Sequence, residues 1–396
     1  MNADPENEIM DAIPRVLHQV GPKYGVRDFL RQTEAAWTGV EDVMPWMNVT
    51  MDCQKKRLRP DAAADVITAS LMEGELGPGM IAMERASGRR MGKPTAELTS
   101  YIGCGSMLHG MDDETLDVRT DEVLNMKRSV LRIEPDRTVW TMTSAHMAMT
   151  RHALERIYQR ERVSTGQLIH TIRSATMDMV RNMSIAISAN LHLGAMPAMN
   201  DGDEEVPRDA ATFLIPMGHG LLVTETRNCV STTAAGSSIK AEFRKHGAVL
   251  KATRPLARHT IAIDAGEGRT GLLEVCHVGK TYLSEDVLRP EQVRYRDLFR
   301  DACTHLDADA ISREMFGGRD AHRKEVEPVP LEMPHLGELR DLLGRCVRHE
   351  PPPHRVWGWT ATLQRGHLAE LARQVAKMDD EVRDASVRES GNDGGS

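Results

Sequence analysis

The chain has 396 residues, of which 40% are hydrophobic, 27% charged and only 4% aromatic; it carries 24 methionines and a formal net charge of -8. This is the composition of a soluble globular protein with room for two or three domains, in which Met fills core gaps that Phe or Tyr would otherwise fill. It excludes a surface coated in nucleic-acid-binding charge, though not a local basic patch.

No apolar run approaches the roughly 18 residues needed to span a bilayer, so no membrane partner is expected. The N-terminal MNADPENEIMD is acidic and lacks the apolar centre of a secretory signal. Cys53, Cys104, Cys229, Cys276, Cys303 and Cys346 form no CxxC pair. They read as reduced thiols, and the expected location is cytoplasmic.

Residues 1–128 read as a mainly helical region. Within it AAADVITASLMEG (62–74) has helical spacing through Val66, Ile67, Leu71 and Met72, ending at a turn on Gly77 to Gly79. VLRIEPDRTVWTM (130–142) carries two β-rich runs around Pro135 and Asp136, a hairpin signal. A helix over 150–160 follows. Ser164-Thr165-Gly166-Gln167 then has the form of a capping box, and Leu168, Ile169, Ile172, Ala175, Met179 and Met183 predict a second helix behind it. An acidic loop, DGDEE (201–205), closes this section.

Residues 212–283 turn β-rich. FLI (213–215) and LLVTE (221–225) flank a turn on Pro216, Gly218 and Gly220. HTIAIDA (259–265) alternates as a strand, and LLEVCHVGKTYL (272–283) reads as another. The expected architecture is α+β, with a small antiparallel sheet packed with two helices in a core domain over 129–300. A helical C-terminal region over 301–378 and a disordered acidic tail over 379–396 complete it.

Several motifs lack the context that their chemistry needs. GEGRTG (266–271) matches a dinucleotide fingerprint, but the LLEVCHV after it reads as strand rather than the helix whose amides would meet a pyrophosphate. The glycines fit a hairpin turn. VGKT (278–281) has Glu274 where a phosphate-binding loop needs its first glycine. RPLARH (254–259) has an Arg-x4-His spacing known from helical ribonucleases, but Pro255 and the following strand break the helix. Cys104 with His109, or Cys276 with His277, offers two ligands where structural zinc needs four. No metal or cofactor is expected.

TRHALERIYQR (150–160) carries the candidate chemistry. His152, Arg156 and Arg160 recur every four residues and so share one helix face, while Ala153, Leu154 and Ile157 form the apolar stripe beside them. One titratable group beside two permanent cations suits phosphate: the imidazole moves a proton near neutral pH, and the guanidiniums hold the anion. A second basic element lies in 240–258, where Lys240, Arg244, Lys245, Lys251, Arg254 and Arg258 face a single Glu242, a net of +5. If it shares a face with the 150–160 helix, the two form a basic docking groove for RNA. The bland alternatives are a buried, backbone-bonded His152 and a solvated loop at 240–258. His219, between two glycines, is a second candidate that also reads as plain loop.

The pattern His152-Ala153-x-x-Arg156-x-x-x-Arg160, followed by VSTGQL, a second helix and the strands from 213, resembles toxin-like domains of the RelE-related ribonuclease superfamily over residues 130–290. That resemblance implies metal-independent RNA cleavage, with His152 as acid/base and Arg156 and Arg160 as phosphate clamps. The chain departs from the pattern in its length, its acidic insertion before the strands and its negative charge. The competing expectation is a non-enzymatic binding or scaffold protein of a bacterial mobile element or defence system. Trp357 and Trp359 beside Pro351 to Pro353 would then anchor a protein partner or a second copy.

Overall fold

The computed structural model describes residues 26–27, 30, 44–73, 80–90, 92–111, 118–161, 168–194, 211–231, 238–244, 247–253, 260–266, 269–308, 310–311, 331–346 and 373–377. Two helices come first, α1 (Met44–Lys55) and α2 (Pro60–Glu73). Of the apolar positions that predict α2, Ile67 is fully buried, whereas Val66 is 45% exposed.

Four strands follow: β1 (Met80–Arg90), β2 (Lys93–Met111), β3 (Val118–Ile133) and β4 (Arg137–Thr150). β3 and β4 form the hairpin expected around Pro135 and Asp136, with Ile133 opposite Thr138. Then come α3 (Arg151–Arg160) and α4 (Leu168–Ser188), both as the apolar spacing predicts. β5 (Thr212–Met217) and β6 (Gly220–Ser231) form the second expected hairpin, closed where Met217 pairs with Gly220. β7 (Ser238–Arg244) and β8 (Gly247–Thr253) form a third. β9 (Thr260–Gly266) and β10 (Arg269–Leu283) form the fourth, so GEGRTG does lie at a turn between strands. α5 (Pro290–Cys303) and α6 (Leu336–Cys346) follow.

The α+β class holds, but the small antiparallel sheet does not. All ten described strands join one sheet, with the path β8-β7-β4-β3-β2-β6-β10-β9, β1 on β2 and β5 on β6. It is mixed, because β10 also pairs in parallel with β4 through His277–Met147 to Gly279–Met149. That contact and the single His109–Val230 pair between β2 and β6 close β4, β3, β2, β6 and β10 into a ring. Among the described residues of 1–128, strand outweighs helix, since β1, β2 and most of β3 lie there. A boundary at 128/129 would cut β3, and one at 300/301 would cut α5.

Strand pleat decides what each face meets. At one end Leu98, Leu131, Ile133, Trp140 and Phe243 lie under α1 and α2, against Cys53, Ala63, Ala64 and Ile67. On the opposite face Tyr101, Leu124, Met126, Met147 and Met149 join a larger core with α3, α4, β5, α5 and α6. α4 runs through that core. Its Ala175, Thr176, Met177, Met179 and Val180, then Met183, Ser184, Ile185 and Ala186, are all buried, the signature of a helix covered on every side. The two hydroxyls are satisfied within the helix, Thr176 donating to the Ile172 carbonyl at 2.7 Å and Ser184 to Val180 at 2.6 Å. Among the described residues no helix is long and apolar enough to cross a membrane.

Candidate functional site

α3 starts where β4 stops, and Thr150 makes the transition. Its hydroxyl oxygen accepts from the Ala153 N–H at 3.2 Å, capping the helix, and also lies 3.1 Å from the Gly279 and Lys280 carbonyls of β10. Ala153, Leu154 and Ile157 are buried, as their spacing predicts. Glu155 is buried too. Its Oε1 lies 3.2 Å from Arg151 Nε, while Arg151 also bonds Glu122 of β3 at 2.7 Å. This charge pair ties α3 to β3 rather than facing a ligand.

The His152, Arg156, Arg160 face divides. His152 is exposed, which sets aside the buried, backbone-bonded alternative. Partial burial and then Arg156, with a smaller push from Arg160, hold its pKa below the ordinary 6.5, against the pull of Glu155. The imidazole is therefore neutral at pH 7. Arg156 is one turn away and donates to Gln159 Oε1 at 3.3 Å, a bond within its own helix. Arg160 is different: it donates to the Tyr282 carbonyl at the end of β10, and so serves as a joint between elements.

The described part of the basic segment, 240–244 and 247–253, lies toward the opposite end of β4 from this face. Positions 238–244 and 247–253 form the β7–β8 hairpin, not a loop, and β7 pairs with β4 only from Arg137 to Met142. Lys240 is in register with Thr141 and with Lys251. Nine residues of β4, about 30 Å of extended strand, separate Thr141 from the Thr150 cap. Arg244 is ion-paired with Glu242 at 2.6 Å. Lys245, Arg254 and Arg258 lie outside the described residues, as do the capping box at 164–167, the acidic loop, RPLARH, the 351–359 cluster and the acidic tail.

A second polar constellation, absent from the sequence reading, surrounds the β5–β6 turn. Five side chains from three elements bind this turn's backbone. From α4, Asn182 donates to the Pro216 carbonyl at 2.6 Å and Asp178 accepts from the Gly218 N–H at 3.3 Å. From α5, Arg296 donates to the His219 carbonyl and Arg300 to the Gly218 carbonyl. From β10, the Tyr282 hydroxyl lies 3.3 Å from the Met217 carbonyl and donates to Glu161, the residue that ends α3. Burial and then Glu161 push the Tyr282 pKa well up, so the phenol keeps its proton. Burial also raises the Asp178 carboxyl, against the Gly218 N–H, Arg181 and Arg300. Gly218 has φ +50°, a turn conformation that suits glycine. His219 is left exposed at the tip.

Among the described residues no group of three or more His, Cys, Asp or Glu gathers as metal ligands. Cys276 is buried; His277 is buried beside it, bonded to Thr226 at 2.9 Å and edge-on to Phe213. The chain matches no family model, no curated protein and no solved structure.

Proposed function

We propose that this is a non-enzymatic binding protein whose α3 face offers His152 and Arg156 to a phosphate group of RNA. One observation carries the reading. Arg151, Arg160 and Glu161 are engaged with β3 or β10 and Glu155 is paired with Arg151, which leaves a neutral imidazole and one guanidinium on the exposed side. A guanidinium and an imidazole N–H make a two-point anion contact. Transesterification of RNA asks for a base and an acid, and α3 supplies one titratable group on that side.

A second reading, cleavage with His152 as base and Arg156 as clamp, is favoured by the lowered His152 pKa. One experiment separates them. Fluorescence anisotropy of the full chain with a labelled single-stranded RNA, read at several salt concentrations and followed by a denaturing gel, should show salt-dependent binding and intact RNA. Arg156→Ala should reduce the slope of log Kd against log salt by about one. RNA fragments that disappear in His152→Ala would favour the second reading. Binding unchanged by Arg156→Ala would overturn both.

A further inference from the structure

β1 is an edge strand. Among the described strands only β2 pairs with it, and that pairing runs without a register break from Ala82 to Arg90. Arg85, Ala86, Ser87, Gly88 and Arg89 are all exposed, so this stretch meets solvent on both faces. An edge presents unpaired N–H and C=O groups to any further strand unless a proline, a bulge, a covering element or a charge blocks it. Ala82 to Arg90 has no proline and no bulge. Charge is left to decide what the edge accepts.

That charge is unevenly placed. Arg85, Ser87 and Arg89 alternate onto one face, and Arg85 and Ser87 lie opposite Leu98 and Ala96, which pack under α2. Asp65 of α2 pairs with Arg85. Asp61 accepts from Arg85 at 3.3 Å and from the Ser87 hydroxyl at 2.7 Å. Two carboxylates against one guanidinium leave this end of the edge acidic. Both carboxylate side chains are more than half exposed, at 51% and 65%, and so are open to a second cation. Four residues on, about 14 Å along the strand, Arg89 is exposed, and among the described residues no carboxylate pairs with it.

We propose that two copies of this chain pair β1 with β1, antiparallel about a two-fold axis at Ser87, and so join their sheets into one. An axis perpendicular to the sheet keeps each face on its own side, so Ser87 meets Ser87 and Arg89 of each copy meets Arg85 of the other. A lone arginine ordinarily guards an edge by repelling its own copy. Here Arg89 arrives at an arginine already outnumbered by Asp61 and Asp65, and it completes a neutral group of two cations and two anions. The symmetry makes that group twice, whereas a parallel pairing would set Arg89 beside Arg89. The two-fold contact is also closed, giving a dimer rather than a fibre. A short edge makes a small interface of the transient class, and its exposed ion pairs weaken with salt. The surface does not use α3, and the inference does not depend on the reading of that helix.

Sedimentation velocity of the full chain, freed of nucleic acid and read across micromolar concentrations at low salt, tests it. The chain should pass from monomer to dimer as concentration rises, and added salt should shift it back. Arg89→Glu should weaken the dimer roughly tenfold or more, since the new carboxylate is repelled at two symmetric positions. Asp65→Lys should do the same by repelling Arg89. The double variant Arg89→Glu/Asp65→Lys restores opposite charge across the axis and should recover the dimer, with a thermal melt to show each variant folded. Arg156→Ala should leave the equilibrium unchanged, which keeps this result separate from the fate of the α3 face. A chain monomeric at every concentration, a dimer undiminished by Arg89→Glu, or a double variant no tighter than either single one overturns the proposal. Wild type supplies a check that needs no variant: amides of 85–89 should exchange hydrogen more slowly as the dimer forms, and exchange independent of concentration overturns the edge pairing.

Discussion

α3 and the β5–β6 turn each display an exposed histidine among arginines, and they do so by opposite means. On α3, His152 and Arg156 come from one helix and are neighbours because the helix repeat makes them so. At the turn, His219 sits at the tip of a two-residue reversal whose backbone is held by Asp178, Asn182, Tyr282, Arg296 and Arg300. The first arrangement leaves a neutral imidazole and one guanidinium on the exposed side of the helix. The second spends its charged groups on the fold. Tyr282 joins the two regions, since Arg160 bonds its carbonyl and its hydroxyl bonds Glu161. Substitutions at the turn should therefore act on stability, and substitutions on the exposed side of α3 on binding.

The largest expected effect is at Gly220. A Cβ there would overlap the Leu283 carbonyl and the Tyr282 ring, both fixed parts of β10. Gly220→Ala should lower the unfolding free energy in urea by about 3 kcal/mol or more. A loss below about 0.5 kcal/mol, the range of an ordinary surface change, would show that the turn is not rigidly held. Tyr282→Phe comes next. It keeps the ring but removes the donor to Glu161, a charge-assisted bond, and should cost about 1.5–3 kcal/mol by the same measurement.

These contacts explain what was legible in the sequence and what was not. The three expected hairpin and strand regions, 130–142, 212–225 and 259–283, appear where alternation and turn residues lie next to one another along the chain. α2 and α4 were equally visible through the apolar spacing of Ile67 and of Met179 and Met183. β1 to β3 were not. Their Lys127 and Arg128 are buried despite their charge, and Gly105 is required where the Leu30 carbonyl crosses β2, so the segment reads as polar and irregular. The size of the sheet followed from pairings such as β4 with β10, far apart in sequence. The same holds for the sites. His152 and Arg156 are local and were found. Glu161 and Tyr282 are 121 residues apart, and only the fold brings them together.

Asp178→Asn should act through pH rather than through a large change at any one condition. Burial raises the Asp178 pKa above its ordinary 3.8. The folded chain then binds this proton more tightly than the unfolded chain. The resulting stabilisation is complete below the unfolded value and is lost as pH rises through the folded one. Asparagine keeps an acceptor for the Gly218 N–H and has no proton to lose. Melting temperatures measured from pH 4 to pH 7, a span of about three units above the ordinary carboxyl value, should fall more steeply in wild type than in Asp178→Asn. Parallel profiles would mean that the carboxyl is solvated and that the turn is open to water.

The smallest effect on stability, and the most informative for α3, is at His152. The side chain is exposed, so His152→Ala should change the unfolding free energy by no more than about 0.5 kcal/mol. Its titration is the sharper test. Because burial and Arg156 both oppose protonation, the imidazole midpoint followed by NMR should lie below 6.5. Arg156→Ala removes the second cause and should move that midpoint upward. An added phosphate-bearing RNA seated between His152 and Arg156 should also move the His152 midpoint upward, since its negative charge favours the imidazolium. A midpoint indifferent to both changes would place Arg156 away from the imidazole and leave α3 with no two-point contact to offer.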